Sequence, residues 1–518
     1  MTNDPSSEPL SSEIARVNRG LVPALGIFST TMIVVGAVIG SGIFRKPGTM
    51  AADLIGHGVG FPELLLAVWV LAGLITLFGA LTNAEIASMI PETGGQYVYF
   101  ERMYGPFWAY LYGWAVFIVI QTGSIASIAY IFAEYAGQYF TLPQLSAELS
   151  AYTFSLPIGT FRPFADFGMK SIAALLIIVL TVVNYLGVRF GGTVQNFFTM
   201  AKVAAIVTLI VLTFVAPEVG SAHNFVVSSR SHATDVSGLA LALGIAAALQ
   251  GAFWAYDGWN NITYIAGEVR RPRTTIPRSL IAGMTVIIAV YVLMNLAYIY
   301  VLPIDVMAAS KLVASDVAER IVTGGGTVIA AAVMLSTFGT VNGTILASAR
   351  VYFSMARHNV FPRFLGRAHP RFHTPAASLV MQCIWSVLLL FSGTFDSLTN
   401  TLIFVSWIFY AAGAFGLFVL RRRYRDAERA YRVPAYPWVP GLFIVFAVAF
   451  LVLTVYGDVT SYLAAREAGE PAVINSAFGL VLVLSGIPIY LFFRHAGRGR
   501  PTNSGDDDAE EPQNGVNG

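Results

Sequence analysis

The residues best placed to do chemistry are small ones inside an apolar stretch, 33–47, which reads Ile-Val-Val-Gly-Ala-Val-Ile-Gly-Ser-Gly-Ile-Phe-Arg-Lys-Pro. Gly36, Gly40 and Gly42 lie close together in this stretch, and Ser41 separates the last two. A glycine inside a helix costs about 1 kcal/mol relative to alanine, so this spacing predicts a helix that opens at its middle. In hydrocarbon, an opened helix is tolerated only where its backbone lines a cavity or meets a ligand. The stretch therefore predicts a binding site.

We predict that 39–44 forms the floor of this site, with Ile39 on one side of the opening and a new half-helix beginning near Ile43. The free N–H groups and the positive dipole end of that half-helix would face an anion such as a carboxylate. The alternative is close helix packing, for which small residues four positions apart are typical in membrane bundles. A second interrupted helix in the same chain favours binding over packing.

That second interruption lies in the apolar segment 237–266, at Gln-Gly-Ala-Phe-Trp-Ala-Tyr-Asp-Gly-Trp-Asn-Asn over 250–261. The residues there that suit a lipid-facing helix poorly are Gly251, Asp257, Gly258, Asn260 and Asn261. Asp257 is a carboxylate placed in the break, and it has three open roles. It could receive a substrate ammonium group, relay a proton, or cap the half-helix that follows.

Lys202 lies within a predicted spanning helix and is followed by an apolar run. A lysine in a membrane helix costs about 3 kcal/mol on insertion scales, so it normally faces a cavity or a polar partner. The alternative is that its long side chain reaches back to the headgroups. If it faces inward, its ammonium group could occupy a place where other transporters hold a sodium ion, and transport would not need sodium.

The other charged or metal-binding side chains give weaker signals. Glu85 and Glu268 are expected to pair with arginines on the cytoplasmic side rather than to bind substrate. His369 and His373 are four residues apart, but Pro370 interrupts the helix that would bring them together, so a metal site is not expected. No zinc-binding His-Glu-x-x-His, nucleophile elbow or phosphate loop occurs in the sequence, which argues against an enzyme and against a bound cofactor.

The composition identifies the environment in which these residues must be positioned. Of the 518 residues, 56% are hydrophobic and 12% are charged, which is typical of a polytopic membrane protein whose main partner is the lipid bilayer. The net charge of +2 gives no reason to expect nucleic-acid binding. The single cysteine, Cys383, excludes an internal disulfide.

A spanning helix needs roughly 20 apolar residues. By this measure the sequence predicts an all-α protein with twelve transmembrane helices, at 25–52, 62–90, 101–139, 168–188, 195–216, 237–266, 279–303, 325–356, 375–394, 397–421, 438–457 and 473–494. Most of the 31 lysines and arginines fall on one side if the N-terminus is cytoplasmic. The positive-inside rule then puts both termini in the cytoplasm, with the protein in the cell membrane.

The two interrupted helices are the first and the sixth, which predicts two five-helix repeats of inverted topology. The repeats would cover 25–216 and 237–421, together forming a transporter core over 25–421. Two additional helices would follow in 438–494. The tails 1–24 and 495–518 are predicted to be cytoplasmic, the second of them disordered because it is rich in Gly, Asn, Pro and acidic residues.

These motifs resemble those of the amino acid-polyamine-organocation (APC) superfamily and, within it, the L-type amino acid transporters. The motifs that carry the resemblance are Gly36-Ala-Val-Ile-Gly-Ser-Gly-Ile-Phe44, Ala84-Glu-Ile with Gly94-Gly-Gln-Tyr-Val-Tyr99, Val194-Gln-Asn to Lys202, Trp254-Ala-Tyr-Asp-Gly-Trp-Asn260 with Gly267-Glu-Val and Pro272, and Phe338-Gly-Thr-Val-Asn-Gly343. The resemblance extends from about Leu25 to Trp438. It implies the leucine-transporter fold, alternating access, and exchange of one amino acid for another without sodium.

The resemblance also implies residue roles. The expected substrate-binding residues are Ile39, Gly40, Ser41, Gly42, Ile43, Trp254, Ala255, Asp257, Asn260, Phe404 and Trp407. By similarity, the glycines and Ser41 would hold the substrate carboxylate, and backbone carbonyls of Ile39, Trp254 and Asp257 would accept from its ammonium group. Trp254 would be the aromatic gate, and Asn260, Phe404 and Trp407 would shape the side-chain pocket. Lys202 would link the first and eighth helices in place of sodium.

Two departures from the family pattern matter. Heteromeric animal members carry a cysteine in the outer loop between helices three and four, bonded to a heavy subunit, whereas 140–169 contains none here. We therefore expect no disulfide-linked heavy chain. Many members have glycine at the position of Asp257, and an aspartate occurs both in relatives that take cationic amino acids and in bacterial neutral ones. The expected activity is sodium-independent exchange of neutral L-amino acids, with proton symport or cationic substrates as the alternatives.

Overall fold

The computed structural model describes residues 23–187, 192–227, 229, 236–357, 360–372 and 374–498. The two predicted tails lie outside these residues, except for 23–24 and 495–498. Within the described part, the chain is a bundle of long helices, as the composition predicts.

Eleven helices of the described part are long and apolar enough to cross a membrane, and one further apolar helix is 17 residues long. We number these spans 1 to 12 in chain order. Their bounds are Ile27–Gly56, Pro62–Met89, Pro106–Ala136, Phe167–Tyr185, Gly192–Val215, Gly238–Glu268, Pro272–Val301, Gly325–Arg357, Ala376–Ser392, Phe395–Arg423, Trp438–Glu467 and Asn475–Phe492. The prediction of a twelve-helix membrane protein is confirmed.

Spans 1 and 6 are discontinuous. Span 1 consists of the helices Ile27–Val38 and Gly42–Gly56. Span 6 consists of the α-helix Gly238–Tyr256 and a 3₁₀ segment, Trp259–Glu268. The first helix of each predicted five-helix half is therefore the broken one, as in the leucine-transporter fold. The repeat boundaries at 25–216 and 237–421 stay a prediction.

Several helix bounds differ from those predicted. The segment 101–139 is two elements, because the helix Gln96–Tyr104 ends at Gly105 and a new helix begins at Pro106. Gly105 has φ 91°, a left-handed conformation that glycine adopts without strain. Span 3 also contains a π-helical turn, Val116–Ile120.

Spans 7, 11 and 12 were also predicted with the wrong bounds. Span 7 begins at Pro272 and span 11 continues to Glu467, because helices continue beyond the apolar run that a hydropathy count detects. Span 12 is divided into Asn475–Leu484 and Gly486–Arg498.

The loops carry short elements that the all-helical prediction did not contain. An antiparallel hairpin pairs Phe154–Leu156 with Gly159–Phe161 between spans 3 and 4. The remaining short helical segments are Ala147–Ser150, Pro217–Val219, Ala222–Phe225, Ile304–Ala309, Val313–Ile321 and Arg363–Gly366. The buried core draws mainly on spans 1, 2, 3, 6, 7, 8 and 10. Apolar side chains of span 11 such as Val445, Val448 and Val452 are exposed, as expected for a lipid-facing surface.

Candidate functional site

The break in span 1 falls where the glycines predicted it. The first half-helix ends at Val38, and the second begins at Gly42 after Ser41 turns the chain. The amide groups of Phe44 and Arg45 donate to the Ser41 carbonyl, each over 3.2 Å. The N–H groups at the very start of a helix have no partner within it, so those of Gly42 and Ile43 are available to a ligand.

The break in span 6 is a change of backbone direction over two residues. Asp257 is extended, with φ −71° and ψ 159°, and Gly258 has φ 96°. A Cβ atom at Gly258 would lie 3.0 Å from the Ala37 carbonyl oxygen, so glycine is required there both by conformation and by space. The residue at the start of the 3₁₀ segment that follows is Gly258 itself, and the capping role considered for Asp257 stays a prediction.

The two breaks lie against each other. A Cβ atom at Gly42 would be 2.4 Å from the Ala255 Cα atom, so the backbones touch at this point. The Tyr291 hydroxyl of span 7 lies 3.0 Å from the Val38 carbonyl and 3.0 Å from the Ala255 carbonyl, one from each break. The two interrupted helices predicted from the sequence are therefore in direct contact at their breaks.

A small, partly open cavity lies beside this contact. Its lining residues come from spans 1, 3, 6 and 8 and are Ala37, Val38, Gly40, Ser41, Gly42, Gln121, Ser124, Ile128, Trp254, Asp257, Gly258, Asn261, Thr340 and Thr344. We call it the central cavity. Within the described part of the chain, the Ser41 hydroxyl and the Trp254 indole N–H are buried without a hydrogen-bond partner. Both can donate to an oxygen, so a bound carboxylate would supply the partner that each lacks.

Lys202 of span 5 is buried and faces the break rather than the headgroups. Its Nζ atom donates to the Gly36 carbonyl over 3.0 Å, to the Ile39 carbonyl over 2.8 Å and to the Thr340 hydroxyl over 3.1 Å. These acceptors belong to spans 1 and 8. The side chain therefore links the two spans that the resemblance named, and it occupies one end of the opened segment.

Asp257 lines the central cavity and is held by span 10. Its Oδ1 atom accepts from the Tyr410 hydroxyl over 2.6 Å. Among the described residues, no lysine or arginine forms an ion pair with it, as the ion pairs of the described part involve other carboxylates. The carboxylate is thus oriented by a neutral donor and remains able to accept a cationic or protic group.

Three residues assigned to the side-chain pocket by resemblance lie outside the central cavity. Asn260 is buried, and its carbonyl accepts from the Thr263 hydroxyl over 2.7 Å. The Trp407 ring lies 3.9 Å, centroid to centroid, from Phe253, and lines a neighbouring cavity that shares Asp257 with the central one. Phe404 is buried and lines neither cavity. Their substrate contacts stay predictions.

The side chains of Ile39, Ile43 and Ala255 also do not line the central cavity. These residues are chain neighbours of residues that do line it, and their carbonyls already accept hydrogen bonds. The Ile39 carbonyl accepts from Lys202, and the Ile43 carbonyl accepts from the Tyr298 hydroxyl over 3.3 Å. These residues could contribute to substrate binding through their N–H groups or through the second lone pair of each carbonyl oxygen.

The sequence analysis missed several residues of the cavity wall. Gln121 and Ser124 come from span 3, and Thr340 and Thr344 come from span 8. A signal was available, since these are polar residues three or four positions apart within apolar helices and therefore share a face. Which cavity that face lines could not be read from the spacing.

One end of the site is closed by aromatic and charged side chains. Trp254 meets Phe395 of span 10 edge to face, with centroids 6.2 Å apart. The Lys46 Nζ atom lies 4.6 Å from the Phe395 ring centroid and 2.7 Å from the Asp396 carboxylate. Lys46 is 1% exposed, so this contact joins the second half of span 1 to span 10.

The opposite end is held by ion pairs, as expected for Glu85 and Glu268. Glu85 of span 2 is fully buried and accepts from Arg421 over 2.8 and 2.7 Å and from the Val433 amide over 2.7 Å. Glu268 lies 3.3 Å from Arg350 of span 8. Both pairings are confirmed by these contacts.

The described residues contain no group of three His, Cys, Asp or Glu side chains that could hold a metal ion. His373, one of the two histidines considered for a metal site, lies outside the described residues.

Comparison with known proteins agrees with this architecture. A family profile described as amino acid permease matches residues 25–496. The serine/threonine exchanger SteT of Bacillus subtilis (strain 168) is 30% identical over 91% of this chain and 97% of its own length. The b(0,+)-type amino acid transporter 1 of Homo sapiens is 31% identical over 91% of this chain and 88% of its own length. The large neutral amino acids transporter small subunit 2 of Homo sapiens is 30% identical over 90% and 79%, respectively. The matched region contains all twelve spans.

Proposed function

We propose that this chain, which belongs to the amino acid permease family of the APC superfamily, exchanges neutral L-amino acids across a membrane without sodium. Relatives over almost the whole chain are named as amino acid transporters or exchangers, and none of those cited is named as an enzyme. The chain is accordingly a multi-pass membrane transporter of amino acids. Neutral substrates, exchange and independence from sodium are the proposed part.

One observation carries the proposal. The N-terminus of the half-helix at Gly42, the unpartnered Ser41 hydroxyl and the unpartnered Trp254 N–H all border the central cavity. A helix N-terminus stabilises an anion by about 0.3–1 kcal/mol through its dipole, in addition to the hydrogen bonds it donates. This arrangement fits the carboxylate of an amino acid, and the Asp257 carboxylate in the same cavity fits its ammonium group.

The charges around the cavity favour a neutral substrate. Lys202 brings one positive charge to the break, and Asp257 brings one negative charge to the cavity. A zwitterionic amino acid with an uncharged side chain leaves this balance unchanged. A lysine or arginine substrate would add a positive charge without a second acidic partner from the lining residues, and such a charge is costly to hold at membrane depth.

Lys202 supports the absence of sodium coupling. Its ammonium group lies 2.8–3.1 Å from three oxygen atoms, which is the kind of oxygen cluster that coordinates an alkali cation. A cation bound there would have to displace the lysine or share its acceptors. The fixed charge therefore takes the place of the ion, and the break in span 1 stays linked to span 8 whether or not sodium is present.

The test is uptake into proteoliposomes made from the purified chain. Liposomes loaded with unlabelled serine, alanine or leucine should accumulate the labelled amino acid faster than empty ones, and replacing sodium with choline should change nothing. Equal uptake by loaded and empty liposomes would contradict exchange. Loss of uptake in choline would contradict sodium independence.

Asp257 favours proton symport as a second candidate. It is a buried carboxylate in the cavity with a tyrosine hydroxyl as its bonded partner and no cationic one among the described residues. If it carries a proton, uptake into empty liposomes should follow an imposed pH gradient, and Asp257→Asn should abolish that dependence. If Asp257 instead recognises a cationic side chain, lysine or arginine should compete with labelled serine.

The location also remains a proposal. We infer that the chain lies in the cell membrane with both termini in the cytoplasm, on the distribution of its lysines and arginines. We further propose that it works without a disulfide-linked heavy subunit, because its single cysteine, Cys383, lies on span 9 and not in the outer loop between spans 3 and 4. Protease accessibility of tags at each end, and activity of the chain purified alone, test the two points.

A further inference from the structure

One wall of the central cavity is polar and is built from spans 3, 6 and 8. We call it the polar wall. Gln121 of span 3 donates through Nε2 to Asn261 Oδ1 of span 6 over 3.3 Å. Thr344 of span 8 donates to the Thr340 carbonyl of its own helix over 2.9 Å. All four residues line the cavity.

These groups lie beside the breaks. Asn261 is the third residue of the 3₁₀ segment that follows the break in span 6. Thr344 lies one helical turn, about 5.4 Å, beyond Thr340, whose hydroxyl is bonded by Lys202. An amino acid whose main chain is held at the breaks would therefore direct its side chain toward Gln121, Asn261 and Thr344.

The polar wall has donors and acceptors that are still available to a ligand. Thr344 uses its proton on its own helix, so its oxygen can still accept from a ligand. The bond between Gln121 and Asn261 uses one donor and one acceptor of two amides that have both kinds of group. An apolar side chain placed here would cover these donors and acceptors without bonding to them, which is unfavourable for buried polar groups.

We propose that Gln121, Asn261 and Thr344 read the substrate side chain, and that they select hydroxyl and amide side chains over apolar side chains of the same shape. The inference rests on the proposed function, because it assumes an amino acid held by its main chain at the two breaks. It differs from the assignment by resemblance, which gives this task to Asn260, Phe404 and Trp407. Those residues lie outside the central cavity.

The test uses pairs of amino acids that differ in polarity but hardly in shape, threonine with valine and asparagine with leucine. Each competes against labelled serine for binding to the purified full-length chain. One hydrogen bond to a buried partner corresponds to about tenfold in affinity, so threonine and asparagine should compete at about tenfold lower concentration than valine and leucine. In Thr344→Val and Asn261→Leu, the difference should fall to about twofold, chiefly because the polar member binds more weakly.

Thr337→Val serves as the matched control. It removes a hydroxyl of span 8 that is buried and bonded to the Val333 carbonyl over 2.8 Å, like that of Thr344, but does not line the cavity, so the preference of about tenfold should remain. Asn260→Ala tests the assignment by resemblance. Because Asn260 does not line the cavity, the ratio between polar and apolar competitors should stay about tenfold in this variant, whatever happens to its overall affinity. Thermal unfolding of every variant separates lost selectivity from lost folding, and Thr344→Val tests the idea even if Asn261→Leu does not fold.

Equal competition by threonine and valine in the unaltered chain would overturn the inference while leaving amino acid transport intact. So would a preference that persists in Thr344→Val and Asn261→Leu, or one that is lost only in Asn260→Ala. If no amino acid competes with labelled serine at all, the proposed function itself is wrong, and the inference with it.

Discussion

Replacing Lys202 by methionine tests the central part of the proposal. The substitution keeps an unbranched side chain of similar length and removes the charge and all three hydrogen bonds, to Gly36, Ile39 and Thr340. Two of the acceptors are backbone carbonyls at the end of the first half of span 1. Their loss should release that half-helix from span 8 and disorder the site at the break.

The expected magnitude follows from the bonds that are removed. A hydrogen bond to a charged group contributes about 1.5–3 kcal/mol to stability, and a buried carbonyl left without a partner costs about 1–3 kcal/mol. The substrate binds against the same backbone segment, so losing even one such bond in the bound state should weaken binding by about ten- to hundredfold. Exchange in proteoliposomes should then fall about five- to fiftyfold at a substrate concentration equal to the dissociation constant of the unaltered chain.

The control is Lys170→Met. Lys170 is also fully buried, and its Nζ atom donates to the carbonyls of Arg162 and Pro163, each over 3.2 Å. It lies at the start of span 4 and away from the central cavity. Both variants lose an ammonium group that satisfies backbone carbonyls, so both should unfold at lower temperature. Only Lys202→Met should lose equilibrium binding of labelled serine and exchange.

The reasoning fails if Lys202→Met binds serine within twofold of the unaltered chain. It also fails if Lys170→Met loses binding to the same extent, because the effect would then be one of general stability. A Lys202→Met variant that gains uptake only in the presence of sodium would support the view that the ammonium group stands in the place of a cation.

Two further predictions follow from the packing and the charges. Gly42→Ala should abolish binding, because its Cβ atom would lie 2.4 Å from the Ala255 Cα atom. Such overpacking typically costs about 1–3 kcal/mol. Gly56→Ala lies on the same half-helix with nothing within 4 Å of its Cβ position, so this variant should bind labelled serine normally. Glu85→Gln should lower the unfolding temperature strongly, since removing one member of a buried ion pair costs about 3–5 kcal/mol. The Glu428 side chain is 78% exposed in its ion pair with Arg273, so Glu428→Gln should change the unfolding temperature little. Normal binding by Gly42→Ala, or equal unfolding temperatures for the two glutamate variants, would contradict these arguments.

Much of this architecture could be predicted from the sequence because membranes restrict the choices. A bilayer requires apolar runs of a minimum length, and a break in such a run is tolerated only where the backbone has another partner. Gly40, Gly42 and Asp257 therefore indicate both the interrupted helices and the depth of the site. The inward-facing position of Lys202 could be predicted in the same way, because a charge within a span needs a polar partner.

The helix ends were predicted less well because hydropathy reports only the part of a helix that lies in lipid. Span 11 runs on through polar residues to Glu467, and a count of apolar residues stops before it. The start of span 3 was missed for a different reason. Gly105 and Pro106 separate two helices whose apolar residues run on from one to the other, so composition alone joins them.

By itself, the sequence determined which helices open, which charge lies inside the membrane and which residues suit a carboxylate. The tertiary structure decided which side chains share a cavity. Asn260 and Asn261 are adjacent and chemically identical, yet only Asn261 lines the central cavity, and Gln121 and Thr344 meet it from spans far away in the chain. The physical reason is that a side chain's direction depends on how its helix is rotated against its neighbours, and that rotation is set by the packing of every span together.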